Sequence, residues 1–299
     1  MWSSAKEAIM PTNNRRKNPF SLAPALTFVV LALFVLAALF EVENRIGQGI
    51  ITLLAFGIAF FIYIVCRGGL LLRIPNRAIS GSGLWVALFS ALLMIAFSAF
   101  FRFGILRDAS LIAAPPKSFL EGLLSLLAVA VIPAVCEEYF FRGAVMLEYR
   151  FAGVFGSAFF SALLFAAVHL SLSLFVLYFV CGLMLSFTVF LTGDVKMAVV
   201  SHILYNLYAL FAERDVYLLA YDEESRVLFL AMAGACVLLA LWGLLKVSET
   251  LLRERAEDEP PVRVPRGKGF FVFYDIVSTP SLWLVAIVFL LFTLLRHFL

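Results

Sequence analysis

The sequence predicts an all-α polytopic membrane protein, a transmembrane helix bundle of eight or nine spans. Three observations carry this reading. Of 299 residues, 63% are hydrophobic and 14% charged, whereas a soluble domain is roughly 45–50% apolar and about 25% charged. Mean hydropathy is +1.01. The apolar residues also fall into runs close to the ~20 residues that a helix needs to cross hydrocarbon. The four cysteines, Cys66, Cys136, Cys181 and Cys236, lie in or beside those runs without C-x-x-C spacing. That excludes a disulfide framework and leaves them as small buried hydrophobes.

Residues 1–19 are polar, with Lys6, Arg15, Arg16 and Lys17 ahead of a first apolar run at 20–40. This run is too long for the core of a secretory signal and reads as a span with the N-terminus cytoplasmic. Further runs follow at 48–66, 84–101, 119–140, 154–170, 174–192, 196–212, 227–247 and 280–298. With that orientation, sixteen Lys and Arg fall inside and seven outside, as the positive-inside rule requires. The acidic cluster Glu213, Asp215, Asp222, Glu223 and Glu224 falls outside. An odd span number then puts the C-terminus outside. The stretch 248–269, with Pro260, Pro261 and Pro265, reads as a solvated cytoplasmic loop leading to the last helix.

The fourth run carries its own start signals. Pro115-Pro116 ends the preceding segment, and Ser118 to Glu121 has the spacing of a capping box. Pro133 deprives the carbonyl four residues earlier of its partner and predicts a kink just before Glu137 and Glu138. Ionisable groups at membrane depth are costly and need a reason. The plain reason is that the run ends here and both carboxylates lie among headgroups. Likewise one histidine in an apolar helix is more often structural than catalytic. Here, however, two carboxylates, Arg142, His169, His202 and Asn206 all occupy predicted spans.

Helical geometry tests whether they meet. Gly153, the natural turn of a hairpin, is sixteen residues from both Glu137 and His169, so the two lie at equal depth. His202 is nine residues past the turn at Gly193, roughly 13 Å along its helix against roughly 24 Å for the others. Arg142, Glu148 and Arg150 suggest that the first hairpin protrudes by about two turns, or ~11 Å, which would bring all three level in the inner half of the membrane. Glu138 and Arg142 are spaced to pair, leaving Glu137 free. Phe165 shares a face with His169, and His202 with Asn206.

The ordered set Glu-Glu-x-x-x-Arg, Phe-x-x-x-His and His-x-x-x-Asn on successive apolar helices resembles the CPBP family of intramembrane proteases, which includes type II CAAX prenyl endopeptidases and Abi proteins. The resemblance covers about 119–211, with flanking helices at 1–118 and 212–299, and places the catalytic core on helices four to seven. It implies a glutamate-dependent endopeptidase in which Glu137 and His169 activate water. His202 and Asn206 would serve the oxyanion, while Glu138, Arg142 and Phe165 support them. The implied partners are membrane lipid and a peptide or lipidated protein substrate, with no nucleic acid. The implied location is the plasma membrane of a bacterium or archaeon. No cofactor is expected. Zinc held by Glu137, His169 and His202 is the lesser alternative, because no H-E-x-x-H occurs and an Asn beside the second His suits an oxyanion donor better than a ligand. A non-catalytic immunity or scaffold protein would keep the cluster only as structural glue. A transporter would show a repeated pattern of broken helices, which is absent.

Overall fold

A computed structural model describes residues 20–42, 44–67, 74–107, 112, 115–258 and 269–298. The basic residues Lys6, Arg15, Arg16, Lys17, Arg73, Arg263, Arg266 and Lys268 lie outside the described residues, as does most of the Pro-rich stretch. Among the described residues all regular secondary structure is helical. Without water to satisfy backbone groups, apolar segments of this length hydrogen-bond internally as helices. The first three are Leu22–Leu39 (α1), Arg45–Arg67 (α2) and Gly81–Ala99 (α3), the last continuing through a wide π-helical stretch at Phe100–Leu106.

Six helical stretches are long and apolar enough to cross a membrane, or seven if one bent pair counts as a span. The chain is therefore an integral membrane protein in build, but the expected eight or nine spans are not reached by this measure. Two features account for the difference. Residues 119–168 run as one fifty-residue helical stretch, and the final apolar helix, Pro280–Arg296, is shorter than the others.

That fifty-residue stretch is folded back on itself. It comprises Phe119–Ser125 (α4), Ile132–Glu138 (α5), Met146–Glu148 (α6) and Gly153–Val168 (α7), with π-helical segments at Leu126–Val131 and Tyr139–Val145. The reversal comes at Gly153, whose φ of 77° suits a residue without Cβ. The two arms then pack antiparallel: the Ser161 hydroxyl donates to the Phe141 carbonyl at 2.9 Å, and the Phe141 and Phe165 rings meet edge to face at 5.4 Å. At the start, Ser118 accepts from the Glu121 amide at 3.2 Å as expected. The reciprocal bond is displaced by one residue, because Glu121 accepts from the amide of Lys117. Pro133 sits in the first turn of α5, directly after a π-helical segment. The missing N–H is thus accommodated by a widened turn, the usual way a helix absorbs an interrupted ladder.

Next come Phe175–Thr192 (α8) and Val195–Phe211 (α9), separated by Gly193 at φ 69°. Asp194 caps α9 by accepting from the Lys196 amide at 3.0 Å. This turn docks on the chain after α2, where the Val195 amide donates to the Pro75 carbonyl and Lys196 Nζ to the Arg77 carbonyl. Glu213–Tyr221 (α10) bends away from α9 by 60°. Arg226–Asp258 (α11) follows and packs along α3. It corrects the expected loop at 248–269, since residues 248–258 continue the helix. Gly269–Val277 (α12) and Pro280–Phe298 (α13) complete the described chain. The last of these lies against α1, where Ser281 donates to the Ser21 carbonyl.

Two charges expected to mark a protruding hairpin are buried instead. Arg142 is 1% exposed and Glu148 4%. Glu148 pairs with Arg67 at 3.3 Å, and Arg142 pairs inside the bundle. Buried charges stay ionised only when matched, so these residues report partners, not a membrane surface.

Close helix approach depends on Gly49 in α2. A Cβ there would lie 2.9 Å from the backbone of Ala128, which has no side-chain freedom to give. Gly49→Val is expected to separate α2 from the first π-helical segment, destabilise the fold by about 1–3 kcal/mol and lower the thermal midpoint in detergent; an unchanged midpoint would contradict this packing.

Candidate active site

The two π-helical segments bracket Glu137 and Glu138, so the carboxylates occupy the short regular turn between two wide ones. Both are buried, at 8% and 0% exposure. Four residues apart on the helix, Glu138 Oε1 accepts from Arg142 Nη1 at 3.0 Å. The same oxygen meets His202 Nδ1 from α9 at 2.9 Å. Since a carboxylate oxygen can only accept, that ring nitrogen carries the hydrogen. Arg142 also donates through Nη2 to the Gly182 carbonyl on α8 at 3.0 Å. Glu138 and Arg142 therefore tie together three helical arms.

Glu137 points elsewhere. Its Oε2 is buried with no hydrogen-bond partner, although His202 and Arg142 lie within Coulombic range of its carboxylate. A buried unpartnered carboxylate oxygen costs free energy unless something else meets it. Residue order alone leaves the burial of the pair open, and the structure places both carboxylates inside the bundle.

Phe165 on α7 joins the histidines. Its ring lies 4.7 Å from that of His169 and 6.0 Å from that of His202, and the Arg142 guanidinium sits 4.4 Å over it. The Phe165 carbonyl meets His169 Nδ1 at 2.8 Å. A carbonyl can only accept, so this bond fixes the proton on Nδ1 and leaves Nε2 as an acceptor. On its other face the His169 ring stacks on Tyr178 of α8, 3.9 Å between centroids and 25° between planes. Asn206, one turn beyond His202, donates from Nδ2 to the Ala130 carbonyl at 3.3 Å, which leaves its second N–H available. Glu138, Arg142, Phe165, His169 and His202 thus belong to one contact network with Glu137 in Coulombic range, whereas Asn206 bonds to the Ala130 carbonyl and Glu137 and His169 make no hydrogen bond to each other.

Sequence reasoning missed Tyr178 and the carbonyls of Gly182 and Ala130. Tyr178 is a lone hydroxyl-bearing ring in an apolar run, a weak signal; the carbonyls have none, because any residue supplies one. Among the described residues no group of three or more His, Cys, Asp or Glu side chains is arranged to hold a metal ion. Two open concavities lie away from this cluster. The larger, about 230 Å³, is at the far end of α3 beside Phe103, Arg107 and Tyr217.

Residues 119–208 match the family model described as type II CAAX prenyl endopeptidase Rce1-like. This segment is similar to that family, and the resemblance implies protease activity. No curated protein and no solved structure matches the chain. All seven motif residues fall inside the matched segment, as do Tyr178 and Gly182. Outside it, α3 packs on the cluster from the side: Ser98 and Tyr205 hydroxyls meet at 3.0 Å, next in sequence to Asn206.

Removing Glu138 would strip both Arg142 and His202 of their shared acceptor. Glu138→Ala is expected to cost about 3–5 kcal/mol, the usual cost of leaving a buried charge uncompensated. Denaturant or thermal unfolding in detergent measures this, and a loss below ~1 kcal/mol would show that the pair does not hold the bundle.

Proposed function

We propose that this chain is an intramembrane, glutamate-dependent endopeptidase that hydrolyses a peptide bond of a membrane-associated or lipidated peptide. The observation that carries the reading is the division of labour between adjacent carboxylates. Oε2 of both residues is buried and unpartnered, but Glu138 accepts from Arg142 and His202 through Oε1, whereas Glu137 accepts from neither. A structural pair of glutamates would both tether neighbouring helices; a general base must keep an acceptor for its water.

The chemistry follows from the donor and acceptor inventory. A water molecule donates one O–H to Glu137 and the other to His169 Nε2, which Phe165 and Tyr178 hold in the accepting tautomer and orientation. Glu137 takes the proton as the oxygen attacks the scissile carbonyl. The developing oxyanion accepts from Asn206 and from His202, whose protonated ring keeps Nδ1–H on Glu138 and turns Nε2–H toward the substrate. Glu137 then returns its proton to the leaving amine, and the peptide bond breaks into a carboxylic acid and an amine.

The catalytic core is taken as 119–211, with flanking helices at 1–118 and 212–299. The N-terminus is placed in the cytoplasm of a bacterial or archaeal cell, and the partners are lipid and substrate peptide. A scaffold would use both glutamates as tethers, whereas only Glu138 accepts from Arg142 and His202.

In proteoliposomes with a membrane-anchored reporter peptide, Glu137→Gln is expected to reduce cleavage by roughly 10²–10⁴-fold without shifting the thermal midpoint downward. Retained cleavage would sink the proposal. Asn206→Ala is expected to lower kcat by about 10²–10³-fold with little change in KM, and activity should survive a zinc chelator.

A further inference from the structure

The larger concavity away from the catalytic cluster is built where α3, α10 and α11 meet. Phe103, in the π-helical stretch that ends α3, lines it and is 4% exposed. Phe103 also belongs to a small second core with Ala99, Ala220 and Phe229, which holds α10 against α3 and α11. Along α10 the Tyr217 ring meets Phe103 edge to face at 5.3 Å, and Tyr221 meets Tyr217 at 5.6 Å. The remaining lining is charged. Arg107 closes the π-helical stretch, Arg226 opens α11, and Glu223 lies in the turn before it.

Two arginines on one concavity repel unless an anion lies between them. Among the described residues neither forms an ion pair, with Glu223 or with any other carboxylate. The nearby Asp222 is engaged elsewhere, accepting from the amide and the hydroxyl of Ser225. Arg107 is also held at φ 53°, a left-handed backbone conformation that a non-glycine residue adopts at a cost. Charges that merely faced water would need neither this strain nor convergence from two helices.

Size and charge narrow the ligand. The concavity measures about 230 Å³, short of the roughly 300–1,000 Å³ that encloses a drug-sized ligand, so it takes a small polar group. Two arginines against one glutamate leave it with a single net positive charge, which a monoanion neutralises and a zwitterion does not. Phosphate oxygens suit paired guanidinium groups, while the Glu223 carboxylate accepts from hydroxyl groups. Beside the concavity, Ile105 and Leu106 at the end of α3 and Val227 and Leu228 of α11 are apolar and exposed, a surface suited to hydrocarbon tails. Tyr217 and Tyr221 are amphipathic rings of the kind enriched at headgroup level.

We propose that this concavity binds the headgroup of an anionic glycerophospholipid, a phosphodiester bearing hydroxyl groups and no cation. The phosphate lies on Arg107 and Arg226, and the tails run along α3 and α11. The bound lipid joins α10 to both helices. None of the proposed catalytic residues takes part, so the site stands whether or not the chain is a peptidase.

Binding is measured by native mass spectrometry on the delipidated full chain in maltoside micelles, with phosphatidylglycerol, phosphatidylcholine and phosphatidylethanolamine carrying the same short tails. One phosphatidylglycerol per chain is expected to bind at least about tenfold more tightly than either zwitterion, as charge-assisted pairing allows. Arg107→Gln with Arg226→Gln is expected to bring that ratio close to one. Both arginines are at least partly exposed, so these replacements leave the fold intact, and a ratio taken within one variant is insensitive to any general loss of stability. Lys117→Gln with Arg214→Gln removes the same charge from exposed positions outside the concavity and is expected to leave the ratio unchanged. Equal binding of the three lipids, a preference that survives loss of Arg107 and Arg226, or one that vanishes in the control pair overturns the site. Inorganic phosphate and glycerol 1-phosphate then separate a lipid from a free phosphate. Neither is expected to displace phosphatidylglycerol at ten times its concentration, and displacement by either overturns the lipid assignment.

Discussion

A single carboxylate oxygen, Oε1 of Glu138, accepts from Arg142 on its own arm and from His202 on α9. Much of the bundle's geometry depends on it. In hydrocarbon an unpaired charge is expensive enough to change the fold, so the three side chains must stay together. Arg142 extends the constraint by donating to a carbonyl of α8 and lying over Phe165 of α7. Four helical elements are thereby locked in register by groups that apolar packing could not specify. Lipid tails are as apolar as leucine, and burial alone gives membrane helices little reason to choose one neighbour or rotation over another.

The backbone around these charges is shaped to the same end. The two π-helical segments flank the Glu137-Glu138 turn, and an extra residue per turn rotates the succeeding side chains relative to a regular helix. Pro133 makes the first widening necessary. The second, Tyr139–Val145, contains Arg142 itself and carries Phe140 and Phe141 into the core. Adjacent carboxylates consequently face different surroundings: Oε1 of Glu138 accepts from two side chains, while Glu137 accepts from neither of them. The same separation of roles between neighbouring acids recurs wherever a protein needs one carboxylate to hold structure and another to act.

Two groups of buried ionisable side chains lie near one another. Glu137, Glu138, Arg142 and His202 are at the centre, and Arg102 pairs with Glu213 between α3 and α10. Tyr178, which stacks on His169, has Glu137 of one group and Arg102 and Glu213 of the other within Coulombic range. The match to the family model ends at residue 208, so α3 and α10 lie outside it. They bring a matched ion pair of their own to within Coulombic range of the ring that backs His169.

Much of this was legible in the residues. Composition and run length dictate a membrane helix bundle, because chains this apolar have no other way to satisfy their backbone. Four-residue spacing pairs Glu138 with Arg142, leaves Glu137 out, and sets Phe165 beneath His169, since i and i+4 share a helical face. Gly153 and Gly193 mark the turns because left-handed φ excludes most other residues. What the residues could not show is which helix meets which, and at what rotation. That Arg142, Glu148 and Arg102 are interior ion-pair members, that Tyr178 covers His169, and that residues 248–258 extend a helix are all decided by contacts distant in sequence. A charge near the end of an apolar run looks the same in sequence whether it faces water or a buried partner. Only the folded chain supplies the partner, and the cost of burying an unmatched charge makes that difference decisive.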